Sequence, residues 1–202
     1  MPKLITRFIR PCAPARRREP PSGPEWAHEI RWDGWRLQAH RSGSGVVLYS
    51  RPGNDITKRF PAVAEAVAAL PGGDLILDGE LVAFDDVNRP DFHLLRRRRP
   101  TTVAWLFDLM HLGDDDLRDL PWTQRRRRLE RLMARNKCDA LHLNDIWDDG
   151  EALLRAATEQ GLEGIVSKWR SSPYVSGDTD AWIKVKVAGW TERNRGRFKR
   201  SR

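Results

Sequence analysis

Five short runs of this chain put charged residues inside or beside strand-like apolar stretches: "EIRWDGWR", "YSRPGND", "LDGEL", "EGIVSK" and "WIKVK". A charge pointing inward from a strand is costly unless it is paired or binds something. The first run alternates charged and apolar residues on both sides of Asp33-Gly34, which reads as a hairpin turn. Lys184 and Lys186 stand two residues apart, so a strand would point both to one face. Each run alone also has a structural reading, as a tight turn or a half-exposed amphipathic strand. For a single run that reading is the commoner one.

The rest of the chain fits around these runs. Residues 26–32 and 34–41 read as strands meeting at Asp33-Gly34, and "GVVLYS" as a third. "FPAVAEAVAAL" reads as a helix ended by Pro71-Gly72-Gly73. "DLILDGELVAF" places strands on both sides of Asp78-Gly79. "DFHLLRRRR" predicts a short helix and "TVAWLFDLM" a strand. "LPWTQRRRRLERLMAR" predicts a helix with Leu129, Leu132 and Met133 on one face. "ALHLN" follows as a strand, "DDGEALLRAATEQG" as a helix, and "EGIVSKW" and "AWIKVKV" as the last strands. Strands outnumber helices and tight turns join many neighbours. The expected fold is α+β, with largely antiparallel sheets flanked by helices. The expected organisation is a Pro- and Arg-rich extended lead-in over residues 1–24, one domain over 25–188, and a basic, disordered tail over 189–202.

Composition narrows the function. The 202 residues carry a formal net charge of +8, with 29 Arg against 7 Lys. The basic residues come in blocks at Arg16–Arg18, Arg96–Arg99, Arg125–Arg128 and in the tail, which suits a polyanion partner; a solvated surface is the alternative. No apolar run approaches the roughly 18 residues a membrane span needs. A membrane partner is therefore not expected, and a cytoplasmic, nucleoid-associated location is. Cys12 and Cys138 give no disulfide framework and no metal spacing. No glycine-rich phosphate loop is present, so a bound nucleotide would have to be held by side chains.

In their order the runs resemble the covalent nucleotidyltransferase superfamily, and within it the ATP-dependent DNA ligases. The family's first motif is Lys-x-Asp-Gly-x-Arg; here it reads Arg31-Trp32-Asp33-Gly34-Trp35-Arg36. Ser50–Asp55, Leu77–Leu81, Leu106–Met110, Glu163–Lys168 and Trp182–Lys186 follow as the later motifs. The continuation "DDLRDLPWTQRRRRLE" is similar to the family's own. The resemblance runs from about residue 4 to 187 and is closest to short bacterial ligases that hold little beyond the adenylation domain, akin to end-joining ligase modules.

The resemblance implies a mechanism and a set of roles. A lysine attacks the α-phosphorus of ATP, AMP passes to the 5′-phosphate of a DNA nick, and a 3′-hydroxyl then displaces it. Lys184 and Lys186 would hold the α-phosphate, and Lys168 would add charge near the phosphates. Glu80 and Glu163 would bind Mg²⁺ or Mn²⁺. Phe107 would stack on adenine, Glu29 would accept from its amino group, and Ile30 would border the nucleotide. Arg36 and Arg51 would reach ribose and phosphate. The implied partners are double-stranded DNA with nicks or breaks and repair proteins supplying a clamp. Family ligases usually carry an OB-fold after the last motif, whereas 15 residues follow Val187, so none is expected here.

Arg31 occupies the position of the lysine nucleophile. Arginine stays protonated at any ordinary pH, with its lone pairs delocalised, and is a poor nucleophile. Self-adenylation is therefore expected to be absent or very weak, while three of the seven lysines still fall at motif positions 168, 184 and 186. The leading expectation is a DNA-repair ligase domain with a compromised first step. A non-catalytic nucleotide- or DNA-binding pseudoenzyme is the second, and a decayed gene copy the third. An RNA ligase or mRNA-capping enzyme fits the continuation after Phe107 less well.

Overall fold

In the computed structural model, which describes residues 7–87, 89–96, 102–136 and 138–193, Asp33-Gly34 does not close a hairpin. Strand β2 (Trp26–Arg31) ends before it and β3 (Trp35–Ser42) begins after it, but the two join different sheets. The first sheet has the order β1-β10-β9-β2, built from β1 (Cys12–Arg17), β9 (Gly164–Trp169), β10 (Gly177–Lys186) and β2. The second runs β4-β3-β5-β6-β7, from β4 (Gly45–Ser50), β5 (Leu75–Ala83), β6 (Thr102–Leu112) and β7 (Asp115–Asp116) with β3. A short β8 (Leu141–Leu143) pairs with β6. Two pairings are parallel, β1 with β10 and β6 with β8; the others are antiparallel. The α+β, largely antiparallel expectation holds.

Gly34 sits at the crossing for a steric reason. A Cβ there would lie 2.1 Å from the backbone oxygen of Leu81, so the chain can step between sheets only without a side chain. The second Asp-Gly pair departs further from expectation: β5 runs unbroken through Asp78-Gly79. Its bulge between Asp78 and Gly79 shifts register against β6 instead of turning the chain. Within the extended lead-in, β1 lies as an edge strand on β10. Of the expected short helix after Asp91, only a 3-10 turn at Leu94–Arg96 forms, and its arginines beyond 96 lie outside the described residues. The start of the expected disordered tail is folded: α4 (Trp190–Arg193) buries Trp190 to 3% exposure. The remainder of that tail lies outside the described residues.

Three helices cover the outer faces. Helix α1 (Pro61–Ala69) starts at a proline, whose fixed φ suits the first helical position, and buries Val63, Ala66 and Val67. Helix α2 (Trp122–Met133) buries Leu129, Leu132 and Met133 as expected. Both pack on the second sheet with Leu37, Leu77, Leu81 and Leu106. Helix α3 (Gly150–Glu159) is capped by Asp149, which accepts from the Ala152 amide at 2.9 Å. It packs Leu153 and Ala157 against Trp26, Ile165, Ile183 and Val185 of the first sheet. A third cluster, including Ala27, Ile76, Phe107, Trp122, Tyr174 and Trp182, closes the space between the sheets. No helix among the described residues is long and apolar enough to cross a membrane.

Candidate active site

Strand periodicity decides what faces the space between the sheets. Trp26 packs on the α3 side, so the alternating Ala27, Glu29 and Arg31 turn the other way, as do Val166 and Lys168 of β9 and Trp182 and Lys184 of β10. Register then sets three rows across the sheet: Ala27, Lys168 and Trp182; Glu29, Val166 and Lys184; Arg31, Gly164 and Lys186. The second sheet adds Arg36 from β3, Glu80 from β5 and Phe107 from β6. Together with Arg51, Trp32 and Asn144 these residues line a cleft of about 220 Å³.

The apolar end of the cleft holds a buried ion pair. Lys168 Nζ donates to Glu29 Oε2 at 2.9 Å and to the Phe107 carbonyl at 3.1 Å. The ammonium lies 4.5 Å from the Phe107 ring centre and 4.3 Å from that of Trp182. Burial lowers its pKa, against the opposing charge of Glu29. Lys168 is thus committed to Glu29 and Phe107. The other oxygen of Glu29 accepts no hydrogen bond among the described residues, with Arg126 Nη1 3.7 Å away. Asn144 donates to Glu29 Oε2 and to the Ile30 carbonyl, each at 3.1 Å, and accepts from Trp32 Nε1 at 3.0 Å. Ile30 borders the cleft, but its side chain packs on the α3 side.

The second wall is fixed from behind. Asp78, fully buried, accepts from Arg36 Nε and Nη2 and from the Tyr174 hydroxyl, all at 2.6 Å. Burial pulls the Arg36 guanidinium down, but Asp78 outweighs it and holds the pKa above its ordinary value. The clamped guanidinium sits 4.7 Å from the Phe107 ring centre. Asp108, next to Asp78 in register, accepts from Arg125 Nε at 2.8 Å and Nη2 at 2.9 Å. Two arginines of the basic block at Arg125–Arg128 are therefore buried: Arg125 holds Asp108, and Arg126 pairs with Glu130 beside Glu29.

At the open end Arg31 meets Glu163. Arg31 Nη1 pairs with Glu163 Oε1, and Lys186 Nζ reaches the same oxygen at 3.2 Å. Lys186 also lies 4.4 Å from the Trp190 ring centre. Lys184 lines the cleft, its pKa lowered first by burial and then by the charges of Arg31, Arg51 and Arg16. Of Glu80 and Glu163, the pair expected at a metal, Glu80 lines the cleft and Glu163 adjoins it through Arg31. One oxygen of Glu163 already carries two cations. Burial pushes the Glu80 carboxyl up to about 8; Arg36 and Arg31 pull it down, and the nearby charges of Glu163 and Asp78 raise it. No group of three or more His, Cys, Asp or Glu among the described residues could hold a metal ion.

The cleft thus gathers Glu29, Ile30, Arg31, Arg36, Arg51, Glu80, Phe107, Lys168 and Lys184, with Glu163 and Lys186 joined to it through Arg31. The sequence reading missed Asn144, Arg126, Tyr174 and Trp182. Asp78 and Asp108 carried a usable signal, since each is a charge inside an apolar run. Asn144 carried none.

Residues 18–186 match the family model of the ATP-dependent DNA ligase domain. The chain belongs to the ATP-dependent DNA ligase family. It is 37% identical over 188 residues to the multifunctional non-homologous end joining protein LigD of Pseudomonas aeruginosa, covering 86% of this chain and 22% of that protein. It is 36% identical over 174 residues to DNA ligase B of Mycobacterium tuberculosis, covering 78% of this chain and 34% of the ligase. The chain thus spans about a third or less of these ligases. Among solved structures, a mycobacterial DNA ligase D complexed with ATP and MES superposes with a TM-score of 0.77 at 28% identity, over 88% of this chain and 60% of that one. The ligase domain of M. tuberculosis LigD gives 0.75 at 29% identity over the same shares. The two-sheet cleft is therefore the adenylation-domain fold of DNA ligases.

Proposed function

We propose that this ligase-family chain binds ATP or AMP in the cleft and acts on nicked or broken double-stranded DNA in repair, with self-adenylation absent or very weak. The observation that carries this is the convergence of residues from six separated motifs on one cleft, with arginine at the position where the family resemblance places the nucleophile. The geometry supports the nucleotide. Phe107 and Val166 offer an apolar seat, Glu29 keeps one buried oxygen with no hydrogen-bond partner among the described residues, and Arg36, Arg51 and Lys184 offer donors for ribose and phosphate. A relative in the same fold is described in complex with ATP.

Arg31 removes the first chemical step. A nucleophilic amine needs a free lone pair, which lysine gains when burial or a neighbouring cation lowers its pKa. The Arg31 guanidinium has none to give and is engaged by Glu163. Sealing depends least on this position, because AMP already sits on the DNA 5′-phosphate and the attacking group is the 3′-hydroxyl. What the chain supplies there is positioning and positive charge from Arg36, Arg51 and Lys184. No step is assigned to a metal ion.

The test is a pre-adenylated nicked duplex incubated with the protein. Sealed product is expected, and its absence at high protein concentration would remove the sealing activity. The ion pair between Arg31 and Glu163 favours a second reading, a nucleotide- and DNA-binding pseudoenzyme. It predicts DNA retention without sealing in the same assay. Either role places the chain in the cytoplasm beside the nucleoid, with repair proteins as partners that close the complex.

A further inference from the structure

We infer that this chain holds its nucleoside triphosphate with the phosphates uncomplexed by a divalent cation, the Arg31 guanidinium standing in for the metal at Glu163. The inference rests on the nucleotide-binding reading above. Its basis is the donor chemistry at the open end of the cleft. A divalent ion of the magnesium class needs several hard oxygen ligands in near-octahedral geometry. Here the 7%-exposed carboxylate of Glu163 is already shared by two cations on a single oxygen, Arg31 Nη1 and Lys186 Nζ.

This arrangement is built in by register. Arg31 on β2, Gly164 on β9 and Lys186 on β10 form one row across the sheet. A Cβ on Gly164 would lie 2.1 Å from the Val185 backbone oxygen, so that row is closely packed. Both cations therefore reach Glu163 from fixed strand positions on either side. An incoming divalent ion would meet two positive charges on one oxygen of this carboxylate, and like charges at contact distance repel. The other carboxylate of the expected pair, Glu80, feels the charges of Arg36 and Arg31 first and those of Glu163 and Asp78 after them.

The same cations suit bare phosphates. Arg31, Arg51 and Lys184 line one cleft, and a guanidinium offers paired N–H donors to phosphate oxygens without the geometric demands of a metal shell. Arg31 is 32% exposed at its side chain, which leaves part of its donor fork open to a ligand while one nitrogen holds Glu163.

The test is equilibrium binding of the α,β-methylene analogue of ATP, whose α–β bridge an amine cannot cleave, to the full chain by titration calorimetry, once in EDTA and once in excess magnesium, for the parent and for Arg31→Lys. For the parent, excess magnesium should weaken apparent binding by on the order of tenfold, because it ties up the uncomplexed nucleotide that the site takes. For Arg31→Lys, which frees Glu163 from the guanidinium fork, magnesium should tighten binding by on the order of tenfold. Arg31→Ala serves the same comparison if the lysine variant does not fold, as judged by circular dichroism. A parent that binds as tightly or more tightly in magnesium would overturn the inference while leaving nucleotide binding intact. No binding of the analogue by parent or variants in either condition would overturn the nucleotide-binding reading, and the inference with it. Broadening of the analogue's phosphorus signals by added manganese gives an independent readout. It should appear in Arg31→Lys and be absent from the parent at equal nucleotide occupancy.

Discussion

Arg31, Asp78 and Gly34 show three ways a single residue constrains this molecule. Arg31 keeps the charge expected at its position and loses the nucleophilicity. Its guanidinium pairs with Glu163, which Lys186 also reaches, so the arginine is accommodated without an unpaired charge. Asp78 holds the Arg36 wall of the cleft and is fully buried. Asp78→Ala leaves Arg36 without its partner and should cost about 3–5 kcal/mol of unfolding free energy, measured by urea denaturation. Nucleotide binding should weaken in the same variant, because Arg36 loses its fixed position. Gly34→Ala would force a Cβ to 2.1 Å from the Leu81 carbonyl oxygen, a backbone atom with no room to yield. A loss of several kcal/mol is expected on the same denaturation curve. Charge and type at these positions were legible from sequence. The reason for Gly34 was not, because close approach of β5 is a long-range fact that an Asp-Gly pair does not encode.

At the scale of elements, strand existence was easier to read than strand pairing. β4 spans the expected residues, and β9 falls within its expected run. Pairing failed twice at Asp-Gly. A turn propensity is local, whereas Asp33-Gly34 carries the chain between sheets and Asp78-Gly79 is held straight by neighbours on both sides. Helix α2 carries the clearest lesson about charge. A run of four arginines reads as a solvated or DNA-facing patch, yet Arg125 is fully buried on Asp108 while Arg127 is exposed. Arg125→Ala should therefore destabilise by about 3–5 kcal/mol, and Arg127→Ala should stay within about 0.5 kcal/mol, by thermal or chemical unfolding.

Strand β2 adds a pH dependence. His28 is 1% exposed and shares a 2.8 Å hydrogen bond with Ser167. Burial, and then the charge of Arg170, lowers its pKa below the ordinary 6.5. The unfolded chain therefore binds more protons than the folded one as pH falls below 6.5. The stability that neutral His28 contributes is present above 6.5 and lost as pH drops through the folded value. In urea titrations taken between neutral and acid pH, the parent should lose more stability than His28→Gln.

At the scale of the whole molecule, the cleft exists because two sheets each bury one face under helices and turn the other toward a shared gap. One end is sealed by aromatic residues and the Lys168–Glu29 pair, and the other carries Arg31, Lys186 and Glu163. Ordered motifs identified which residues would meet there, since their spacing follows the strands that carry them. Of the supports behind them, Arg126 lies on a helix that was legible although its role was not, and Asn144 and Tyr174 come from segments whose sequences carry no comparable pattern. The proposal that carries the rest is that the cleft binds a nucleotide as a ligase-family site but cannot become adenylated, because arginine stands at the nucleophile's position. Incubation with α-labelled ATP, for the parent and for Arg31→Lys, tests it most directly. The predicted result is covalent label on Arg31→Lys and none on the parent; strong labelling of the parent, or an unlabelled and folded Arg31→Lys, would contradict it.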